Sequence, residues 1–271
     1  MTDTSVPSWG AVVGSLVLVA LVVVVAERHK LRMSREVIVA SVRAGVQLVA
    51  VGAILLFVFA RTGLPGAVVW IAFMMVLGGQ VAGRRGRGLP LSRWYATVAI
   101  AAGSSITLGA LVALRAIPPQ THVLIPVGGM VVAGAMQATG VALRRLVEEA
   151  ETARPAIEAR LSLGQSARQA FHPHLRSSVR TALLPTIDAT KVVGLISLPG
   201  AMTGLILAGV NPLTAIRYQI IVMYMILTAT ALSALAVTRL AERALFDRAH
   251  RLVPLPAAPV RRRLSSYLRL R

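Results

Sequence analysis

The sequence predicts an all-α, polytopic integral membrane protein: a bundle of about seven transmembrane helices, with its N-terminus out and its C-terminus in. Composition is the first observation, because 56% of the 271 residues are hydrophobic and only 14% are charged. Soluble domains are about 45–50% apolar and about 25% charged. The apolar residues form long stretches, and the basic residues collect between alternate stretches. Together these observations exclude a soluble globular domain.

Seven stretches are long enough to cross a membrane, since a helix spanning about 30 Å of hydrocarbon needs about 20 mostly apolar residues. Basic residues follow the first stretch and none precedes it, the reverse of a signal peptide, so we expect a retained anchor. The sixth stretch is unusually long and is interrupted by Pro and Gly. We expect it to be tilted, kinked at Pro199 or partly re-entrant. The stretches are Trp9–Ala26, Val37–Ala60, Gly66–Gly83, Trp94–Leu114, Val123–Leu143, Ala182–Val210 and Ala215–Val237.

The charge distribution predicts the orientation. The net charge is +19, and 24 of the 29 Lys and Arg residues fall on one side of the alternating spans. Cytoplasmic loops carry this excess, so that side is predicted to be cytoplasmic. The basic residues are scattered among loops rather than gathered on one face, which argues against nucleic acid as a partner. We expect a multi-pass protein of the cell's inner (plasma) membrane, in contact with membrane lipid.

Polar residues inside the predicted spans are candidates for a transport pathway. Arg43 and Gln47 lie one turn apart on the second span, and Asp188 and Lys191 are spaced to face each other on the sixth. An ionisable residue in a span indicates a pathway, with its partner named. The alternative is an ion pair near the cytoplasmic interface that fixes helix packing. For Gln137, a hydrogen bond between helices is the alternative.

Other motifs have simpler interpretations. Gly79-x-x-x-Gly83 and Gly200-x-x-x-Gly204 allow close helix packing. Glu148 and Glu149 are interpreted as a solvated acidic stretch. The chain has no cysteine, its histidines are not grouped with carboxylates, and neither lysine stands in a phosphate-binding Gly-Lys-Ser/Thr motif. We therefore expect no cofactor, no resident metal centre and no ATP hydrolysis by this chain.

The long loop at 144–180 carries a predicted helix. Pro155 suits a helix start, and Pro173 is expected to end the helix. Ile157, Leu161 and Phe171 recur at helical spacing. The loop therefore predicts a short amphipathic helix outside the membrane, lying on the lipid surface or in a groove of a partner protein.

The run Glu158–Gly164 resembles the Glu-Ala-Ala-x-x-x-Gly loop of ABC-transporter permeases, with Arg160 in place of the second Ala. In importer permeases this loop is followed by an apolar-x-Leu-Pro ending. Here the corresponding Leu183-Leu184-Pro185 comes later, which argues against an ordinary importer permease.

A longer resemblance is to the FetB-like family of ABC permeases associated with iron export, which includes plant aluminium-tolerance proteins. It covers roughly residues 35–240. One departure from the family's pattern is Gly134–Gln137, and another is the Arg-rich tail. The resembling runs are Val42–Leu48, Pro126–Met130, Leu184–Leu195, Ser197–Gly204, Ile206–Gly209, Asn211-Pro212 and Arg217–Ile220.

The resemblance implies a permease domain at 1–240 that works with a separate cytoplasmic ABC ATPase. It also implies export of iron, or of a metal-linked solute, by a homodimer of the chain. The loop 144–180 would transmit the ATPase's movement, and 241–271 would form a basic cytoplasmic tail. The residues implied to couple to the ATPase are Ile157, Glu158, Ala159, Leu161, Gly164 and Phe171. The implied transport pathway comprises Arg43, Gln47, Gln137, Asp188, Lys191, Pro199, Gly200 and Met202.

Two other functions remain open on the sequence. An ATPase-independent channel or secondary transporter would use Arg43, Asp188 and Lys191 as an ion path. A membrane scaffold that transports nothing would explain the loop helix, but it would leave the intramembrane charges without a role.

Overall fold

A computed structural model describes residues 9–31, 33–247, 249 and 251–254. Within these residues the chain forms nine α-helices, and its extended structure is limited to two isolated bridges. The predicted all-α membrane bundle is confirmed. The helices are α1 (Trp9–Arg28), α2 (Ser34–Arg61), α3 (Gly63–Gly83), α4 (Ser92–Ala113), α5 (Thr121–Thr152), α6 (Arg154–Ser162), α7 (Ala167–Val192), α8 (Gly200–Leu207) and α9 (Pro212–Leu245).

Six of the described helices are long and apolar enough to cross a membrane, namely α1, α2, α3, α4, α5 and α9. The sixth predicted span, 182–210, is divided between the end of α7 and the short α8. The break follows from the local sequence: Gly194 has a φ of +80°, and Pro199 is the N-cap of α8. Glycine adopts such a φ without the strain that a Cβ atom brings.

Helix α7 runs antiparallel to α9. Ala167 lines the same cavity as Phe246, and Val193 lines a cavity with Gln219. Residues 219–245 of α9 and all of α7 are therefore side by side, over about 39 Å at 1.5 Å per residue. This length exceeds the hydrocarbon thickness of about 30 Å. Helix α7 thus runs beside α9 over this length, although α7 is too polar to be recognised as a membrane span.

The core lies among α3, α4, α5, α7 and α9, where small residues let the helices approach closely. A Cβ atom on Gly79 would lie 2.5 Å from the Cα atom of Thr97, and one on Gly83 would overlap the backbone of Arg93. The close packing predicted from Gly79-x-x-x-Gly83 is therefore the contact between α3 and α4. Gly200 and Gly204 have no such neighbour within the part of the chain that the structure describes.

Helices α1 and α2 form a hairpin at the edge of the bundle. Nearly all of their residues are exposed, and α2 reaches the bundle through α3. A small cluster of Val58, Ala67 and Ile125 makes this contact. The hairpin therefore presents two long apolar surfaces that the other described residues leave uncovered.

The loop predicted to hold one helix holds a corner between two. Helix α6 ends at Ser162, Gly164 has a φ of +85°, and α7 begins behind the capping box of Ser166 and Gln169. The expectation that Pro173 ends a helix is wrong, since α7 continues through it. Pro173 removes only one backbone hydrogen bond, the one to the carbonyl of Gln169 near the exposed helix start.

Candidate functional site

The C-terminal half of α7 has an exposed polar face. The Lys191 ammonium donates to Asp188 Oδ1 at 3.0 Å, and both side chains are about two-thirds exposed. Leu184 lies one turn earlier and is also exposed. The two charged residues therefore face each other as their spacing indicated, on a face that the other described residues do not cover.

The alignment of α7 with α9 gives the level of this ion pair along α9. Asp188 is 21 positions after Ala167, which is about 31 Å along α7. The antiparallel alignment therefore brings Asp188 level with about Met225, in the middle of the apolar part of α9. A role of the pair in a pathway or in helix packing stays a prediction.

The other predicted pathway residues are dispersed. Arg43 and Gln47 lie one turn apart on the exposed hairpin, and Gln137 is exposed on α5. Within the described residues, no hydrogen bond or ion pair joins these three side chains to Asp188 or Lys191. The described residues also contain no group of three or more His, Asp or Glu side chains placed to hold a metal ion.

A cavity of about 250 Å³ lies where the end of α7, α8 and the start of α9 meet. The predicted residue Met202 lines it and is buried, and Gln219 faces it from α9. Gln219 is only 8% exposed, and its Oε1 atom has no hydrogen-bond partner among the described residues. Pro199 and Gly200 form the start of α8 just beside this cavity. An unpaired amide oxygen in an apolar cavity can accept a hydrogen bond or coordinate a cation.

On the predicted cytoplasmic side, two of the residues predicted to contact an ATPase face inwards. Ile157 and Phe171 are fully buried in the core. The Phe171 ring meets the Phe246 ring edge-on at 5.9 Å, which ties α7 to the end of α9. The apolar stripe read from the sequence is thus covered by the chain's own bundle and holds the corner from within.

The tip of the corner is open to solvent. Leu163 is 81% exposed, and Glu158, Ala159 and Gly164 are exposed beside it, while Leu161 is half-buried. The Arg160 guanidinium donates to the carbonyl of Ala170 at 3.2 Å. The residue that departs from the ABC-permease pattern therefore ties α6 to α7 across the turn.

The chain beyond α9 folds back on the corner. Arg154 donates to the carbonyl of Leu252 at 2.7 Å and to Glu158 Oε1 at 2.8 Å, and Leu252 is buried. Asp247 accepts from the backbone and side chain of Arg251, and these hydrogen bonds lower the pKa of its carboxyl group. Residues 255–271 of the predicted basic tail lie outside the described residues.

A polar network next to the corner joins the end of α5 to the first half of α7. Glu149 accepts a hydrogen bond from the Ser177 hydroxyl at 2.9 Å and forms an ion pair with Arg145 at 2.8 Å, and its Oε2 atom lies 2.8 Å from His174 Nδ1. Glu149 is largely buried, so its interpretation as part of a solvated acidic stretch is wrong. The partners are 25 and 28 residues away, and sequence spacing does not predict such contacts.

Sequence reasoning also missed the role of Gln219, although a signal for it existed. Gln219 interrupts an apolar helix in the same way as Gln47 and Gln137. A polar side chain in a span needs a partner or a cavity. Applying that rule to every span would have selected Gln219.

The fold and these sites define the class: a multi-pass membrane protein with a polar face in its bundle and an ordered corner outside it. The chain belongs to the family described as the uncharacterised protein family UPF0014, whose sequence model matches residues 9–246. This confirms the resemblance drawn from the sequence motifs.

Relatives of the chain come from plants and bacteria. It is 40% identical to UPF0014 membrane protein STAR2 of Oryza sativa subsp. japonica, over 89% of this chain and 84% of the relative. It is 36% identical to the protein ALUMINUM SENSITIVE 3 of Arabidopsis thaliana, over 88% and 87%. It is 33% identical to the probable iron export permease protein FetB of Escherichia coli strain K12, over 88% and 92%. No solved structure matches the chain.

Proposed function

We propose that this chain is the permease subunit of an ABC transporter in the plasma (inner) membrane, driven by a separate cytoplasmic ATPase. The observation that carries the proposal is α7 itself. One helix begins at the exposed corner and continues beside α9, with Asp188 and Lys191 exposed level with the apolar part of α9. A movement at the corner would be transmitted along α7 to that polar face, which is the requirement for coupling and alternating access.

The corner has the form of a docking element. Its tip combines the exposed apolar side chain of Leu163 with the exposed carboxylate of Glu158. The buried Ile157 and Phe171 and the bond from Arg160 to Ala170 hold that tip on the bundle. A rigidly supported tip transmits force, whereas a loose loop would absorb it.

We propose a metal ion, or a small solute that carries one, as the exported substrate. The printed name of the bacterial relative, a probable iron export permease, supports iron. The side chains along the proposed route suit a cation: the Asp188 carboxylate, the Gln219 amide oxygen and the Met202 thioether. Lys191 would neutralise Asp188 when the cation is absent.

We further propose that two copies of the chain form the transporter. Arg43 and Gln47 are exposed on a helix that is otherwise apolar, and lipid is a costly surrounding for a guanidinium group. Gly200 and Gly204 are also uncovered on α8. A second copy would cover these surfaces and enclose a polar route between the two chains.

Copurification with the ATPase tests the coupling assignment. Glu158→Lys reverses the charge at the tip, and Gly164→Trp adds bulk where φ is +85°. Both variants are expected to lower the amount of ATPase that copurifies with the permease by about tenfold, equivalent to about 1.4 kcal/mol of binding. Glu151→Lys is the matched control, because Glu151 is exposed on the same side but lies outside the tip. Normal ATPase recovery with both tip variants would refute this role.

Transport in liposomes separates an ABC permease from an ATPase-independent channel or secondary transporter. The permease alone is expected to leave Fe²⁺ inside the compartment where it was loaded. Addition of the ATPase and ATP should start export, and a non-hydrolysable ATP analogue should not sustain it. Rapid Fe²⁺ movement by the permease alone would favour the channel and overturn the proposal.

A further inference from the structure

A cavity of about 670 Å³ opens on the predicted cytoplasmic side, between the end of α3 and the last third of α5. Four guanidinium groups line it, against two carboxylates. Arg144 and Arg145 lie within 3.6 Å of one of these, Glu148. The charged lining residues are Arg84, Arg85, Arg87, Arg144, Glu148 and Glu151.

Arg84, Arg85 and Arg87 form no ion pair with a carboxylate in the described part of the chain. They are nevertheless on an ordered turn. Leu89 is buried, and the Ser92 hydroxyl donates to the carbonyl of Gly83 at 3.0 Å, which closes the connection between α3 and α4. The cavity therefore holds an excess of fixed positive charge.

The position of Arg85 is set by a glycine on the opposite helix. A Cβ atom on Gly140 would lie 2.8 Å from Arg85 Cδ and 3.0 Å from one of its terminal nitrogens. The Arg85 side chain thus lies directly on the backbone of α5. The cavity is built by contact between two helices, which distinguishes it from basic residues dispersed in a loop.

On α3, the wall of the cavity changes from polar to apolar towards the membrane. Val81 lines the cavity one turn before Arg85, and Leu77, a further turn before Val81, is exposed. A ligand with an anionic head and apolar chains fits both parts at once. Basic pockets between transmembrane helices on the cytoplasmic side bind the headgroups of anionic lipids.

We propose that this cavity binds the headgroup of an anionic phospholipid, with the phosphate held by Arg85 and its neighbours and the acyl chains along the apolar surface of α3. The site does not depend on an ATPase or on transport. A soluble anion would use only the polar half, and an acidic protein segment would leave the apolar wall uncovered.

Native mass spectrometry of the purified full-length chain tests the proposal. The detergent-solubilised protein is titrated with phosphatidylglycerol and with phosphatidylcholine of the same acyl chains, and phosphatidylglycerol should bind preferentially. Arg85→Gln should weaken its binding about fivefold, and the pair Arg84→Gln and Arg87→Gln about 25-fold. These factors follow from about 1 kcal/mol per basic residue at an anionic membrane surface.

Gly140→Ala is the positional test, because it displaces Arg85 and leaves every charge in place. It should weaken phosphatidylglycerol binding like Arg85→Gln. Arg180→Gln is the matched control for net charge: Arg180 is exposed on the same predicted side but lies outside the cavity. Phosphatidylglycerol binding by Arg180→Gln should stay at the wild-type level.

Three results would overturn the site. An equal loss with Arg180→Gln would mean that net charge alone attracts the lipid. Displacement of phosphatidylglycerol by millimolar inorganic phosphate would indicate a soluble-anion site. Displacement of phosphatidylglycerol by the partner ATPase would indicate that the cavity is a protein-docking surface. The effects of Glu158→Lys and Gly164→Trp on ATPase copurification would be unchanged in that case. If Gly140→Ala does not fold, phosphatidylglycerol binding by Arg85→Gln and by Arg180→Gln is compared instead, and equal binding by these two variants would overturn the site.

Discussion

Helices α7 and α9 lie side by side and antiparallel, yet their sequences differ sharply. Helix α9 is apolar enough to be recognised as a span, whereas α7 is not. At equal depth, α9 has the buried Ala229 packed in the core, and α7 has the exposed Leu184 followed one turn later by Asp188.

The two helices have different roles in the bundle. Helix α9 packs into the core mainly through small and apolar residues, so a carboxylate placed at Ala229 would lack a partner. Helix α7 carries charges that lipid alone would not accommodate, so its exposed face needs water or a second protein surface. At this level Ala229 of α9 is buried and Leu184 and Asp188 of α7 are exposed, so α9 serves as the scaffold and α7 carries the proposed route.

The largest expected effect comes from placing the same charge on the two helices at equal depth. Ala229→Asp buries an unpaired carboxylate and should cost at least about 3 kcal/mol, enough to remove most of the folded protein. Leu184→Asp adds only a weak repulsion with Asp188, about 0.5 kcal/mol. Fluorescence-detected size-exclusion chromatography of both variants measures the folded fraction. Equal loss of both would mean that α7 faces lipid.

The next effect is expected to be local to the corner, where α7 is joined to the end of α9. Phe171→Ala removes the ring that packs on Phe246 and should destabilise the corner by about 3–5 kcal/mol. Trypsin should then cleave faster at Arg160 and Arg168, which lie on either side of the turn. Phe171→Leu keeps most of the apolar volume and serves as the control. Unchanged cleavage in Phe171→Ala would show that the packing does not hold the corner.

The smallest effect on stability is expected from the exposed ion pair. Asp188→Asn should change the free energy of unfolding by less than about 1 kcal/mol. If Asp188 lies on the route, the same variant should lower ATP-dependent export at least about tenfold, equivalent to 1.4 kcal/mol. Thermal unfolding and Fe²⁺ export are measured on one preparation. Normal export would remove Asp188 from the route.

The sequence predicted the apolar helices well because hydrophobicity and length dictate them. The stretches Gly66–Gly83 and Trp94–Leu114 correspond to α3 and α4 within about three residues. Only the second half of α7 was predicted as part of a span, because the apolar stretch begins at Ala182 and the residues before it are mostly polar. Its true start depends on the capping box at Ser166, and such local signals are weaker than twenty apolar residues.

The site was predicted less completely than the fold. An apolar stripe indicates that Ile157 and Phe171 are covered, but it does not say by which surface, and here the chain's own bundle covers them. The contact of Glu149 with His174 depends on tertiary packing over 25 residues. Asp188 and Lys191 were predictable because their partners are local, three residues apart.

The chain contains no cysteine, so a polar route along α7 can be tested with single cysteine substitutions in an otherwise unchanged protein. Leu184→Cys places a thiol on the proposed route, and Val17→Cys places one on the exposed apolar face of α1. Both are treated in membranes with a charged, water-soluble thiol reagent, which needs water to reach and ionise the thiol. Modification of Leu184→Cys is expected to be at least about tenfold faster than modification of Val17→Cys, since hydrocarbon excludes ions. Equally slow modification of both would contradict a polar route along α7.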